Sequence, residues 1–197
     1  MSLVLINLEG IDGCGKSTQS QFLIDKFERD SEKIILLKEP TNGKYGQKLW
    51  EMLSGKIEAT TEEILELFVL DRKEHVNQKI KPALDEGKIV LMDRYYYSTM
   101  AYQAAAGIDI NRLRKDTDFA PKPDIVLIFD LPADLAMKRV RSHSVADVFE
   151  KEEYLEKVRK AYLNLEDDSL VRIIDATRTP EKIFDEVWKL VSEVRNG

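Results

Sequence analysis

The sequence has a single cysteine, Cys14, among its 197 residues. One cysteine cannot form an internal disulfide, which suits a reducing cytosol. Long hydrophobic runs are also lacking, because no apolar stretch approaches the ~20 residues that a membrane span requires. Residues 1–10 have neither the basic segment nor the cleavage site of a secretion signal. We therefore expect a cytoplasmic protein without membrane association.

The chain also lacks a basic excess, an internal repeat and a low-complexity tract. Its net charge of −6 gives no electrostatic reason to expect a nucleic acid partner. No linker-like change of composition divides the sequence, and its length suffices for one α/β domain with a substantial core. We therefore expect a single domain over residues 1–197.

Five short apolar runs are present, and helix-like segments separate them. The runs cover residues 3–8, 33–37, 88–92, 125–129 and 171–174. This alternation predicts an α/β fold, a doubly wound five-stranded parallel sheet with helices on both faces. Helices are expected over residues 19–29, around Leu49, over 60–85 after a capping box, up to Gly107, over 151–165 and from Pro180, while 111–118 is ambiguous.

The segment between the first strand and the first helix carries the strongest motif. Gly10 to Ser17 fits G-x-x-x-x-G-K-[ST] at every fixed position, in the strand-loop-helix context that this phosphate loop (P-loop) requires. Lys16 can reach the β- and γ-phosphates, and the Ser17 hydroxyl can bind Mg²⁺. We expect ATP and Mg²⁺ as cofactors, with nucleotide contacts from Gly10, Ile11, Asp12, Gly13, Cys14, Gly15, Lys16, Ser17 and Thr18.

Three classes of protein use such a loop. A guanine-nucleotide switch needs an N-K-x-D motif after a later strand, and the sequence has none. A non-catalytic nucleotide-binding module would need an extended surface or a further domain, for which the length leaves no room. A small-molecule kinase remains, and Asp93 and Arg94 stand at a predicted strand end, where ligands of such a sheet bind.

Four stretches, in this order, resemble the thymidylate kinase family of nucleoside monophosphate kinases. They are residues 8–18, 67–72, 93–103 and 121–124, and the whole resemblance runs from about Leu3 to Arg195. The resemblance implies a P-loop kinase that phosphorylates dTMP to dTDP with ATP, in dTTP synthesis, and that forms a homodimer. A kinase for another nucleoside monophosphate or for a deoxynucleoside is the alternative.

The resemblance also implies roles for individual residues. Phe68 would stack on thymine unless it packs in the core, and Arg72 would donate to the O4 atom. Ser98, Thr99 and Gln103 would approach the base, Tyr102 would crowd the sugar 2′ position, and Asp12 would hold the 3′-hydroxyl. Asp93 would act around Mg²⁺, with Asp130 a second choice, and Arg94 would bind the transferring phosphate.

The sequence departs from the family pattern at several positions. Lys38 occupies the position of an acceptor-phosphate arginine, which would lose a bidentate contact. Gly13 stands where one branch of the family has an arginine. A mobile lid is expected at about 138–150, where Arg139 and Arg141 remain as catalytic candidates while His143 and Val148 replace arginines that the other branch commonly has.

Cys14 and the two histidines complete the sequence-based expectations. Cys14 precedes a helix N-terminus, whose partial positive charge favours a thiolate. One hypothesis is therefore that alkylation of Cys14 blocks nucleotide binding, and the other is that Cys14 is a small residue chosen for size. The nucleophile of a nucleotide kinase is an ionised phosphate oxygen, so His75 and His143 need no catalytic role and are expected at the surface.

Overall fold

The strands of the protein form one parallel sheet. A computed structural model describes residues 4–140 and 145–196, with side chains over 4–140 and 152–195. The strands are β1 (Leu5–Glu9), β2 (Ile34–Lys38), β3 (Ile89–Asp93), β4 (Ile125–Asp130) and β5 (Val171–Asp175). Their order within the described residues is β2-β3-β1-β4-β5, and every neighbouring pair is parallel. The predicted doubly wound five-stranded sheet is confirmed.

Helices connect the strands and cover both faces of the sheet. They are α1 (Lys16–Arg29), α2 (Lys44–Leu53), α3 (Thr61–His75), α4 (Lys81–Asp85), α5 (Tyr96–Ala105), α6 (Ile110–Thr117), α7 (Ala133–Arg139), α8 (Val145–Leu163) and α9 (Pro180–Asn196). The predicted capping box opens α3: the Glu63 amide donates to Thr60 Oγ1, and the Thr60 amide donates to Glu63 Oε2. None of the helices in the described part of the chain is long and apolar enough to cross a membrane.

Three helical segments differ from the sequence prediction. The helix expected over 60–85 contains a π-helical turn, Val76–Ile80, because Pro82 has no amide proton and its ring would clash with the carbonyl of Gln78. The ambiguous segment forms α6, whose first amides donate to the side chain of Asp109. Helix α8 begins at Val145 rather than Lys151, so part of the predicted lid is helical.

The position of β1 in the sheet determines where ligands can bind. β1 lies between β3 and β4 and is buried along its whole length. The strand order therefore reverses beside β1, and a crevice opens at its carboxyl end. The P-loop follows β1 directly, so it lies in this crevice together with the ends of β3 and β4.

Candidate functional site

The P-loop wraps closely around the side chain of Lys16. Gly10 has a φ of +130°, and a Cβ atom there would lie 2.7 Å from the Phe129 carbonyl oxygen, so the loop requires glycine at this point. The Lys16 amine donates to the carbonyl oxygens of Gly10 (2.9 Å) and Ile11 (3.1 Å). Burial, with a smaller contribution from Arg94, lowers the pKa of Lys16. The lysine predicted to bind phosphate is thus held at the centre of the loop.

Cys14 lies beneath the P-loop rather than at its surface. Its side chain is 1% exposed, and its sulfur lies 3.6 Å from the Lys16 amine. The alkylation hypothesis requires an accessible thiol, and the structure contradicts that requirement. The sulfur would lie 2.9 Å from a Cβ atom at Gly10, which favours a small residue chosen for size.

A cavity of about 470 Å³ opens over the P-loop and joins most of the predicted phosphate-handling residues. It is lined by residues 12–19 and by Lys38, Asp93, Arg94, Arg139, Arg178, Pro180 and Ile183. Arg178, in the loop after β5, was not anticipated from the sequence. The cavity therefore brings together side chains from the ends of four strands.

Arg94 is held in this cavity by its backbone conformation and by several hydrogen bonds. Its backbone has a φ of +68°, which is uncommon for a residue other than glycine. Its Nη2 atom donates to Asp12 Oδ1 (2.7 Å) and to the Tyr102 hydroxyl (3.3 Å). Burial lowers the pKa of Arg94, but the surrounding phenol and carboxylate groups together raise it above its ordinary value. The guanidinium is therefore a fixed positive charge beside the P-loop.

The two aspartates considered for Mg²⁺ differ in their partners. Asp93 is 8% exposed, and its Oδ1 atom has no hydrogen-bond partner within the described part of the chain. Its other oxygen lies 3.4 Å from the amine of Lys38. Asp130, by contrast, accepts from Arg159 Nε (2.5 Å) and Nη2 (3.0 Å). Asp93 therefore offers an oxygen that Asp130 does not.

The Ser17 hydroxyl and Asp93 suit a magnesium ion chemically. Both side chains line the same cavity, and both supply the oxygen atoms that Mg²⁺ prefers. Within residues 4–140 and 152–195, no group of three or more His, Cys, Asp or Glu side chains is arranged so that it could hold a metal ion by itself. A low number of protein ligands is usual where substrate phosphates and water complete the coordination. The residues present therefore fit Mg²⁺ bound together with a nucleotide.

A second group of predicted residues lies on α3 and α5. Arg72 is 1% exposed: its Nε atom donates to Glu39 (2.8 Å) and its Nη2 atom donates to Thr99 (3.0 Å). Its Nη1 atom is buried and has no partner among the described residues. Phe68, one helical turn earlier, is half-buried and does not belong to the hydrophobic core, which weakens the core-packing alternative.

The sequence suggested that His75 lies at the surface, but the structure places it in the interior. It is 7% exposed, and its Nδ1 atom lies 3.0 Å from Glu39 Oε1. The expectation of a surface position was wrong because Glu39, from a distant part of the chain, provides a buried polar partner for His75. His143 lies outside the described residues.

The other predicted base-site residues lie on α5. Ser98 and Gln103 are buried, and the oxygen of the Gln103 amide has no hydrogen-bond partner in the described structure. The Ser98 hydroxyl donates to Glu9 Oε2 (2.5 Å) rather than standing free. Tyr102 contacts Arg94, so it lies beside the phosphate-handling group instead of merely lining solvent.

The predicted lid is described in part. Arg139, the last residue of α7, donates to the carbonyl oxygens of Gly13 (3.5 Å) and Ala176 (3.3 Å). Arg141 lies outside the described residues, as does the side chain of Val148. Arg139 is therefore placed between the P-loop and the loop after β5.

Sequence comparison assigns the family. A family model described as thymidylate kinase matches residues 8–187. The chain belongs to the thymidylate kinase family. It is 39% identical over 194 residues to the "Probable thymidylate kinase" of Archaeoglobus fulgidus, covering 98% of this chain and 97% of that protein. It is 40% identical over 192 residues to the thymidylate kinase of Desulfotalea psychrophila, covering 96% of this chain and 95% of that protein.

A relative from a third organism agrees with these two. The thymidylate kinase of Brachyspira hyodysenteriae is 40% identical over 193 residues, covering 96% of this chain and 93% of that protein. The predicted membership of the thymidylate kinase family and the predicted class, a phosphotransferase enzyme, are confirmed. Every site residue predicted from the sequence lies within the matched span of 8–187.

Besides Arg178, sequence reasoning missed Glu9 and Tyr162. Glu9 is fully buried at the end of β1, and Tyr162 is 1% exposed on α8. A charged residue ending an apolar strand was a usable signal for Glu9. Tyr162 gave no signal, because its importance depends on contacts with residues more than sixty positions away.

Proposed function

We propose that this chain transfers the γ-phosphoryl group of ATP to dTMP and forms dTDP and ADP. The observation that carries the choice of base is the Nη1 donor of Arg72, which is buried beside α5 and has no partner among the described residues. The Gln103 oxygen, four residues after Thr99 on the same face of α5, is an acceptor that also has no partner in the described part of the chain. The Arg72 donor matches the O4 atom of thymine, which accepts. The Gln103 acceptor matches the N3–H group of thymine, which donates.

Cytosine would not match this pair of groups. The N4 amino group of cytosine donates, so it would face the Arg72 donor. The N3 atom of cytosine accepts, so it would face the Gln103 acceptor. Leaving buried polar groups unpaired costs about 1–3 kcal/mol each. The geometry therefore favours dTMP over dCMP, with Phe68 as the stacking surface and Tyr102 near the sugar. Lys38, at the end of β2, would bind the acceptor phosphate.

The chemistry requires alignment and charge neutralisation more than covalent help. The attacking oxygen of dTMP is already ionised, so no general base is needed. Lys16 and Arg94 bring positive charge to the transferring phosphate, and Asp12 is placed by Arg94 to hold the sugar 3′-hydroxyl. Mg²⁺, held by Ser17 and Asp93, would neutralise charge on the β- and γ-phosphates. These roles need water to be excluded, which we assign to a lid at about 138–150 carrying Arg139 and Arg141.

The cellular setting follows from the proposed reaction. A dTMP kinase of dTTP synthesis uses nucleotides and no macromolecular substrate, so we propose a cytoplasmic location without nucleic acid or membrane partners. We also propose that the protein acts as a homodimer, as its resemblance to the thymidylate kinase family implies.

A substrate survey tests the proposed reaction. Purified protein is assayed in a coupled ADP-release assay with ATP, Mg²⁺ and each common nucleoside monophosphate or deoxynucleoside. We expect dTMP to give the highest kcat/KM. A clear preference for dCMP, or for any unphosphorylated nucleoside, would show that the assigned acceptor is wrong.

Substitution of Phe68 tests the base site separately. Phe68→Ala is expected to raise the KM for dTMP by a factor that corresponds to roughly 1–3 kcal/mol, the usual value for a base-stacking aromatic ring. The KM for ATP should change little. Phe119→Ala is the matched control, because Phe119 is an exposed aromatic residue after α6 to which no role in base binding is assigned. Equal weakening of both substrates with a lower Tm would instead indicate that Phe68 supports the core.

A further inference from the structure

A buried cluster of three oxygen-bearing side chains lies directly behind Arg94. Glu9 Oε2 accepts from the hydroxyls of Ser98 (2.5 Å) and Tyr162 (2.9 Å), and those two hydroxyl oxygens lie 2.8 Å apart. Glu9 Oε1 accepts from the backbone amide of Tyr95 (2.7 Å). We call Glu9, Ser98 and Tyr162 the support cluster.

The support cluster is connected to the guanidinium of Arg94 on one side. Arg94 Nη1 donates to Ser98 Oγ (3.0 Å) and to the Tyr162 hydroxyl (3.2 Å). Its Nη2 atom faces Asp12 on the opposite side, at the P-loop. The guanidinium is therefore held between the substrate cavity and a buried network, and Tyr162 supplies one of the two acceptors of its Nη1 atom.

Tyr162 reaches this position from the last turn of α8, the helix whose first residues belong to the segment assigned to the lid. Helix α8 packs along α5, the helix that carries Ser98. The Tyr162 ring also packs edge-on against Tyr102, with ring centroids 6.3 Å apart. The Tyr162 side chain thus contacts both Arg94, which is assigned to the transferring phosphate, and Tyr102, which is assigned to the sugar.

We propose that Tyr162 is a positioning residue that holds Arg94 in the orientation needed for phosphoryl transfer. Its hydroxyl donates its proton to Glu9, so its oxygen is left to accept from Arg94. A preorganised charge at the transferring phosphate accelerates transfer, because it needs no rearrangement at the moment of reaction. Without the Tyr162 hydroxyl, Ser98 Oγ is the one remaining acceptor of Arg94 Nη1 in the support cluster. Glu9 also loses one of its hydrogen-bond donors.

The inference rests on the proposed function, and Tyr162→Phe tests it by removing one oxygen atom. In single-turnover experiments with dTMP and Mg-ATP, we expect the transfer rate to fall about tenfold, a typical effect of losing one hydrogen bond to a charged group. The KM for ATP should stay within about twofold of that of the unaltered protein, because the Tyr162 hydroxyl lies outside the P-loop cavity. A rate within twofold of the unaltered protein would overturn the proposal.

Tyr97→Phe is the matched control. Tyr97 is also buried, and its hydroxyl donates to a carboxylate oxygen, that of Asp168, at 2.7 Å, without contacting Arg94. Both variants lose a tyrosine–carboxylate hydrogen bond, so similar losses of stability in urea are expected. Transfer should slow in Tyr162→Phe alone, and an equal decrease in Tyr97→Phe would reduce Tyr162 to a structural role.

A double-mutant cycle separates positioning from general damage. In an Arg94→Lys background the guanidinium that Tyr162 supports is gone, so adding Tyr162→Phe should slow transfer no further. A second tenfold decrease would overturn the proposal. Failure of the proposed function has a different signature, because the unaltered protein itself would then show no transfer to dTMP.

Discussion

Asp93 ends β3 and Asp130 ends β4, on either side of β1 at the same edge of the sheet, and their side chains meet different partners. Arg159 occupies both oxygens of Asp130, whereas Asp93 keeps a buried oxygen without a partner in the described chain. A carboxylate already paired with an arginine must give up that pair before it can bind a metal ion. At the scale of single residues, this difference supports our proposal that Asp93, rather than Asp130, is the carboxylate that would bind Mg²⁺.

The first prediction compares neutral substitutions at these two positions. Asp93→Asn is expected to lower kcat on the order of 100-fold, because charge stabilisation by a bound ion contributes several kcal/mol to such reactions. Asp130→Asn should keep kcat and lose about 1 kcal/mol of stability, since its pair with Arg159 is partly exposed. Activity measured against Mg²⁺ concentration and unfolding in urea decide the outcome. The reverse pattern would move the metal site to Asp130.

The second prediction concerns the thiol of Cys14. Because the side chain is 1% exposed, iodoacetamide should leave the folded protein unmodified and fully active, with or without Mg-ATP. The same reagent should add one adduct after unfolding in urea, which mass spectrometry detects. Rapid modification of the folded protein would mean that the P-loop opens readily enough to expose the sulfur.

At the scale of elements, helix α7 approaches the P-loop more closely than any side chain at Gly13 would allow. Gly13 has a φ of +86°, and a Cβ atom there would lie 2.4 Å from the Ala136 carbonyl oxygen. An arginine at this position, as in one branch of the family, would require α7 to lie elsewhere. The glycine and the placement of α7 therefore depend on each other, which supports our proposal that the lid, rather than the P-loop, supplies the arginines.

The third prediction tests that close approach with Gly13→Ala. We expect a loss of stability clearly above 1 kcal/mol, because alanine at positive φ is strained and also meets α7. The KM for ATP should rise as the loop shifts. Gly107→Ala is the control, since its φ of +97° gives the same strain in open space. Equal losses in the two variants would mean that contact with α7 contributes nothing.

The strands were predictable because burial on both faces leaves a continuous apolar signal. Every predicted strand is present, and its observed end lies one residue beyond the predicted end, at Glu9, Lys38, Asp93, Asp130 and Asp175. Apolar runs stop at those polar residues, but backbone pairing continues through them. The P-loop was equally predictable, since its motif is local and its context is a strand followed by a helix.

Features that depend on distant contacts could not be predicted in this way. His75 was expected at the surface because the reaction needs no general base, yet Glu39 makes a buried partner for it. The support cluster joins Glu9 to Tyr162 across 153 positions, and no local pattern records that contact. Helix α6 could have been found from its cap, because Asp109 is a favourable N-cap residue.

At the scale of the whole molecule, exposed apolar side chains gather along β2 and α2. Leu36 is 44% exposed, Trp50 is 46% exposed and Leu53 is 49% exposed, while Leu36 and Trp50 line one surface cavity. β2 is an edge strand of the sheet, so this side of the molecule is open to another chain. We place the surface of the proposed homodimer here.

The last prediction is that Trp50→Glu converts the dimer to a monomer. In sedimentation velocity the unaltered protein is expected at twice the chain mass of 22.7 kDa. A two-fold interface carries each substitution twice, and burying an aromatic side chain contributes about 1.5–3 kcal/mol, so losing two should weaken association by about 3 kcal/mol or more. Gln21→Glu adds the same charge on the exposed face of α1 and should remain dimeric. A dimeric Trp50→Glu variant would place the interface elsewhere, and a monomeric unaltered protein would remove the dimer altogether.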